Sequence, residues 1–178
     1  MPEVIHSFEE SLKRSHSIAG VPFWEEIYRE FFPDFHSMAY IEKDGWAQRG
    51  GVDRIIVLGS SRIVKIQEKC REEVWPDILL ERWSDRGSRK PGWIQENLDC
   101  DYLAYVFLPT KECHVLPFLA LRRAWKMFGR EWIEKYPPTI AANRGWVTEG
   151  VPVPIDVLYS ALSEASRVCP SRGTCLSL

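Results

Sequence analysis

The chain has 178 residues, 45% hydrophobic and 27% charged, with a formal net charge of −2. That length buries a core of its own in one domain, and the composition excludes an intrinsically disordered chain. The near-neutral balance also excludes a polycation with a broad phosphate-binding field, so any nucleic-acid contact has to come from local basic clusters beside a site.

Ser7-x-x-Glu10 reads as a capping box that opens a short helix through Ser15, which Gly20 breaks. Pro22 suits the first turn of a second helix, Pro22 to Phe32, with Trp24, Ile27, Tyr28 and Phe31 as its apolar stripe and Pro33 as its stop. Strands follow. His36–Lys43 is a candidate, then Asp44-Gly45 as a turn. Val52–Leu58 and Arg62–Lys69 are joined by Gly59-Ser60-Ser61 as a hairpin.

Asp77–Trp83 reads as a fourth strand, and Ser84–Gly92 as a polar, basic loop. Tyr102–Leu108 and Cys113–Leu116 form a second hairpin around Pro109–Glu112. Pro117 then opens a helix to about Tyr136, where Phe118, Leu121, Trp125, Phe128 and Trp132 recur at three and four residues. Trp146–Val151 is a last strand, Pro154–Ala165 a last helix, and Ser166–Leu178 a polar tail. Helices at both ends around a run of strands predict an α/β domain with a mixed central sheet flanked by helices.

Other chemistries find little support. The five Cys stand at 70, 100, 113, 169 and 175 with no CxxC pair, so they read as reduced thiols of a cytoplasmic protein and not as a zinc knuckle. The four His (5, 16, 36 and 114) show no metal-ligand spacing; His114 reads as structural, and His36 lies just before the first strand. No P-loop, G-x-G-x-x-G or G-x-S-x-G occurs, so no nucleotide cofactor and no nucleophile elbow are expected. The N-terminus lacks an apolar signal-peptide region, and no apolar run approaches the ~18–20 residues that span a bilayer.

The informative stretch runs from Gln48 to Lys69. Asp53 heads one strand, and Gln67-Glu68-Lys69 closes its hairpin partner. Strand side chains alternate between faces. Lys65, Gln67 and Lys69 therefore share one face, while Val64, Ile66 and Glu68 share the other and would pack on a helix. The turn brings Asp53 opposite the end of the second strand, so a carboxylate, an amide oxygen and an ammonium converge. Metal-assisted phosphodiester hydrolysis needs such groups: Mg²⁺ takes hard oxygen ligands and keeps several waters, so few protein ligands suffice.

In these residues the chain resembles the PD-(D/E)XK (restriction-endonuclease-like) nucleases, whose members carry an Asp on one strand of a hairpin and acidic-x-Lys on the next. The resemblance implies a Mg²⁺- or Mn²⁺-dependent deoxyribonuclease with Asp53, Gln67 and Lys69 as catalytic residues and Asp53 and Gln67 as metal ligands. It implies one nuclease-like domain over 1–165 and a tail over 166–178. The sequence departs from the family pattern at Gln67, which stands where the acidic residue is usual. Glu68, Glu81 or Asp77 are candidates for the missing charge, and so is Glu25 or Glu26 on the first helix.

DNA is the expected partner. Arg86, Arg89 and Lys90 in the basic loop would grip the phosphate backbone, or simply form a solvated loop. Arg122, Lys126 and Arg130 would form a second phosphate stripe, or the solvated side of an amphipathic helix. Trp93 would stack on a base or cap the core. A homodimer is expected, since two strands of a duplex require two sites. The alternative reading is a catalytically silent relative that binds nucleic acid or a protein partner.

Overall fold

The computed structural model describes residues 21–41, 50–143 and 145–167. The expected first helix, the Asp44-Gly45 turn and the tail from 168 onward lie outside them. The described chain is a mixed α/β arrangement of three helices and two sheets.

Helix α1 (Val21–Phe31) leads into β1 (Phe35–Tyr40), β2 (Arg54–Leu58) and β3 (Ile63–Arg71). β4 (Asp77–Asp85) and β5 (Lys90–Pro91) follow, then β6 (Tyr102–Phe107) and β7 (Glu112–Pro117). Helix α2 (Phe118–Lys135), β8 (Thr139–Ala142), β9 (Val147–Pro154) and helix α3 (Ile155–Ala165) complete the order.

The larger sheet runs β1-β2-β3-β6-β7. Its first three strands are antiparallel neighbours, β3 pairs parallel with β6, and β7 returns antiparallel to β6. Central β6, Tyr-Leu-Ala-Tyr-Val-Phe, is buried on both faces from Leu103 onward, as a strand covered on two sides requires. On one face Ala104 and Val106 join Ile56, Val64 and Ile66 beneath Trp24 and Tyr28 of α1. On the other, Leu103, Tyr105 and Phe107 pack against Ile78, Leu80, Val151 and Val153 of the second sheet and against α2 and α3.

Both expected hairpins form. At the first, the Ser61 N–H donates to the Leu58 carbonyl at 2.9 Å, with Ser61 at φ 61°. Three differences from the sequence reading have physical causes. The fourth strand does not extend the central sheet, because β6 occupies the free edge of β3; β4 pairs with β5 and β9 in a four-stranded antiparallel sheet. The basic Ser84–Gly92 segment is a tight hairpin, not an open loop: the Asp85 carboxylate accepts from the Gly87 N–H at 3.0 Å and the Ser88 hydroxyl at 2.6 Å. On α1, Phe31 is 45% exposed while Phe32 is buried, because Phe32, whose N–H still donates to the Tyr28 carbonyl, continues the Trp24–Tyr28 face at spacings of four.

Candidate active site

Asp53 sits where β2 begins. Its N–H donates to the Ile66 carbonyl at 2.9 Å, and its own carbonyl accepts from the Ile41 N–H at 3.0 Å, so its backbone is fixed between two neighbouring strands. Ile55 lies opposite Lys65 in the β2–β3 ladder. Asp53 itself precedes β2, just outside the ladder, which ends at Arg54 opposite Ile66; on β3, Gln67 and Lys69 share the face of Lys65. The Asp53 Oδ2 accepts from the Glu68 backbone N–H at 2.7 Å, which ties the carboxylate to the strand that carries Gln67 and Lys69.

Gln67 is 6% exposed, and its Oε1 accepts no hydrogen bond from any described residue. A buried carbonyl without a donor costs about 1–3 kcal/mol, a cost that a bound cation or water at Oε1 would offset. The donor types suit a hard divalent cation: a carboxylate and a neutral carbonyl oxygen, with waters or phosphate completing the shell. Among the described residues, no three His, Cys, Asp or Glu side chains converge as a metal-holding group.

The opposite face carries a different cluster. Arg54 and Glu68 form a two-point ion pair, Nε to Oε1 at 2.5 Å and Nη2 to Oε2 at 3.1 Å. The Tyr28 hydroxyl donates to Glu68 Oε1 at 2.7 Å. Burial pushes the Glu68 carboxyl above its ordinary value despite the bonds from Arg54 and Tyr28. Burial also lifts the Tyr28 hydroxyl, helped by the Glu68 charge, so the phenol keeps the proton it donates. Glu68 is therefore engaged with α1 and directed away from Gln67, as strand alternation requires. The sequence reading had put Glu68 on a helix-packing face but did not identify its partners. The available signal was a basic and an acidic residue, Arg54 and Glu68, both on that apolar face.

The other sequence candidates are distributed as follows. Glu81 belongs to the second sheet, and its Oε1 accepts from the Trp93 N–H at 3.4 Å. Asp77 pairs with Arg71 at 2.9 Å. Glu26 is exposed on α1 and Glu25 pairs with Arg29; α1 packs against the Arg54–Glu68 side of the sheet. His36 is exposed on β1, and Trp93 is buried in the core. His114 is buried, with its Nδ1 3.0 Å from the Tyr159 hydroxyl. The Cys70, Cys100 and Cys113 thiols are pushed up to about 12, chiefly by burial, and so stay neutral.

The segment between Gly92 and Asp101 runs along one side of the Asp53 face. The Asp99 N–H donates to the Gly50 carbonyl at 2.7 Å, and the Asp101 N–H to the Lys65 carbonyl at 2.8 Å. Lys65 is drawn to Asp99, Nζ to Oδ2 at 2.6 Å.

Of the basic candidates, Arg86 pairs with buried Glu149 at 3.0 Å, a carboxylate it shares with Arg82. Arg89 (φ 56°) and Lys90 are exposed at the hairpin tip. Arg122 donates to Asn97 Oδ1 at 2.7 Å, and Lys126 is exposed on α2. Among the described residues, no helix is long and apolar enough to cross a membrane. No protein-family model matches the chain, and no curated protein or solved structure matches it either.

Proposed function

We propose that the chain is a metal-dependent nuclease of the PD-(D/E)XK kind that hydrolyses phosphodiester bonds of DNA, with Asp53, Gln67 and Lys69 as its reacting group. The observation that carries this reading is the buried Gln67 Oε1, which accepts no hydrogen bond from a described residue, next to Glu68, whose backbone N–H holds the Asp53 carboxylate. Asp53 and Gln67 would hold Mg²⁺ or Mn²⁺ through oxygen. When bound, the ion supplies Lewis-acid activation of the phosphate and a water of lowered pKa. Lys69, two residues beyond Gln67 on the same face of β3, offers N–H donors to the phosphate oxygens and stabilises the negative charge that develops there. Arg89, Lys90 and Lys126 contribute exposed positive charge for the backbone, and a homodimer would present one site to each strand.

A second reading, a catalytically silent relative that binds DNA or a protein, is favoured by the lack of a three-group metal cluster among the described residues. One panel separates the two: linear, circular, single-stranded and branched DNA incubated with the protein in Mg²⁺, Mn²⁺ or EDTA. The nuclease reading expects cleavage of at least one form with either metal and none in EDTA. Retarded but intact DNA under every condition would favour the silent relative.

A further inference from the structure

A concavity lies between β4 and the C-terminal half of α2, with a volume of ≈ 360 Å³. This falls within the roughly 300–1,000 Å³ of small-ligand sites. Its lining includes two guanidinium groups, Arg82 and Arg130, an indole, Trp125, an amide, Gln95, and the carboxylate of Glu134. Gly129 forms part of the wall, and a Cβ there would come within 3.0 Å of the Trp125 ring. Glycine is the least favourable residue in a helix interior apart from proline. Its presence inside an 18-residue helix lets the indole lie against the backbone.

Gln95 is held in place by donating to the Arg82 carbonyl. Arg130 is 94% exposed at its side chain and, among the described residues, pairs with Glu134 at 3.3 Å, so its guanidinium can turn toward a ligand.

The same segment that borders the Asp53 face borders this cavity. Gln95 lines it, Asn97 is bonded to Arg122 of α2, and Asp99 is bonded to Gly50.

We infer that this cavity is a subsite for one unpaired nucleotide of the DNA strand, with the base against Trp125 and the adjoining phosphate at Arg130. The inference rests on the nuclease reading for its choice of ligand. An aromatic plane beside an exposed guanidinium, Arg130, is the chemistry that binds single-stranded nucleic acid without sequence preference.

The test is a binding titration of the full chain, in EDTA, against a fluorescein-labelled single-stranded oligodeoxynucleotide of about twelve nucleotides. Trp125→Leu is expected to weaken binding about tenfold and Trp125→Phe much less, since base–aromatic stacking is of that size. Arg130→Gln should lower the salt slope by about one. In an abasic scan, removing the base at one position should weaken wild-type binding about tenfold and leave Trp125→Leu unaffected.

Wild-type affinity in both Trp125→Leu and Arg130→Gln would overturn the inference, as would absence of binding by the wild type. If Trp125→Leu fails to fold, the exposed Arg130→Gln variant and the wild-type abasic scan decide. The readout is metal-free, so the two proposals fail separately. Cleavage with unaffected variants removes the subsite alone, whereas subsite binding without cleavage in Mg²⁺ removes the nuclease reading alone.

Discussion

Arg54 and Glu68 stand beside the candidate active site: Arg54 opens β2 directly after Asp53, Glu68 follows Gln67 on β3, and their ion pair closes at 2.5 Å beneath Tyr28. Each charged residue of the pair thus fixes the strand position next to a residue of the reacting group. The arrangement anchors the chain at Asp53 and at Gln67, with α1 as the clamp.

Breaking that pair should cost stability. Arg54 is 3% exposed, so Glu68→Gln leaves a buried guanidinium without its counter-charge, a loss of about 3–5 kcal/mol. The double variant Arg54→Met/Glu68→Met should lose less than Glu68→Gln alone. Urea denaturation at neutral pH measures both. A Glu68→Gln midpoint equal to wild type would show that the pair contributes nothing.

Gln67 should show the opposite balance. Gln67→Met removes a buried acceptor that has no partner among the described residues, and should raise stability in EDTA by about 1 kcal/mol. It should abolish metal-dependent cleavage at the same time. Gln67→Glu should be less stable in EDTA, gain more stability than wild type on adding Mn²⁺, and retain or raise activity. Calorimetric melts with and without Mn²⁺ check these signs. A Gln67→Met variant that melts lower and still cleaves would assign Gln67 a packing role.

His114 sets a pH dependence. Burial holds its imidazole below the ordinary value of 6.5, and the nearby Glu112 charge opposes this only in part. The unfolded chain therefore takes up the proton first as pH falls. The stability tied to neutral His114 is fully present above about pH 6.5 and is lost progressively below it. His114→Gln should flatten the stability curve in that acidic window. An unchanged acid limb would show that other groups dominate there.

The basic hairpin provides a test of the DNA footprint. Arg89 and Lys90 are exposed at its tip, while Arg86 is shared with buried Glu149. Neutralising all three should lower the salt slope of DNA binding by about two, from Arg89 and Lys90, with little change from Arg86. A slope equal to wild type would remove the hairpin from the interface.

Much of this was legible in the sequence because it rests on local rules. Alternation along Val64–Lys69 placed Gln67 and Glu68 on opposite faces, and the Gly59-Ser60-Ser61 turn set the register that pairs Arg54 with Ile66. The recurrence of Phe118, Leu121 and Trp132 located α2. What escaped depends on which edges pair. Nothing local to Asp77–Asp85 tells whether it joins β3 or forms a separate sheet with β9; that is decided by β6 claiming the β3 edge. Thr139–Ala142 is four residues with two alanines, too short for a period to register, yet it pairs with β9 along its whole length. The Trp125–Arg130 cavity depends on the segment around Gln95 folding against α2, a contact between residues far apart in the chain.

The most direct measurement of the central claim is relaxation of supercoiled plasmid in Mg²⁺ by wild type, Asp53→Ala and Lys69→Ala, each first shown to melt like the wild type. The account expects nicked or linear product from the wild type alone. Product formed at the wild-type rate by folded Asp53→Ala would contradict it.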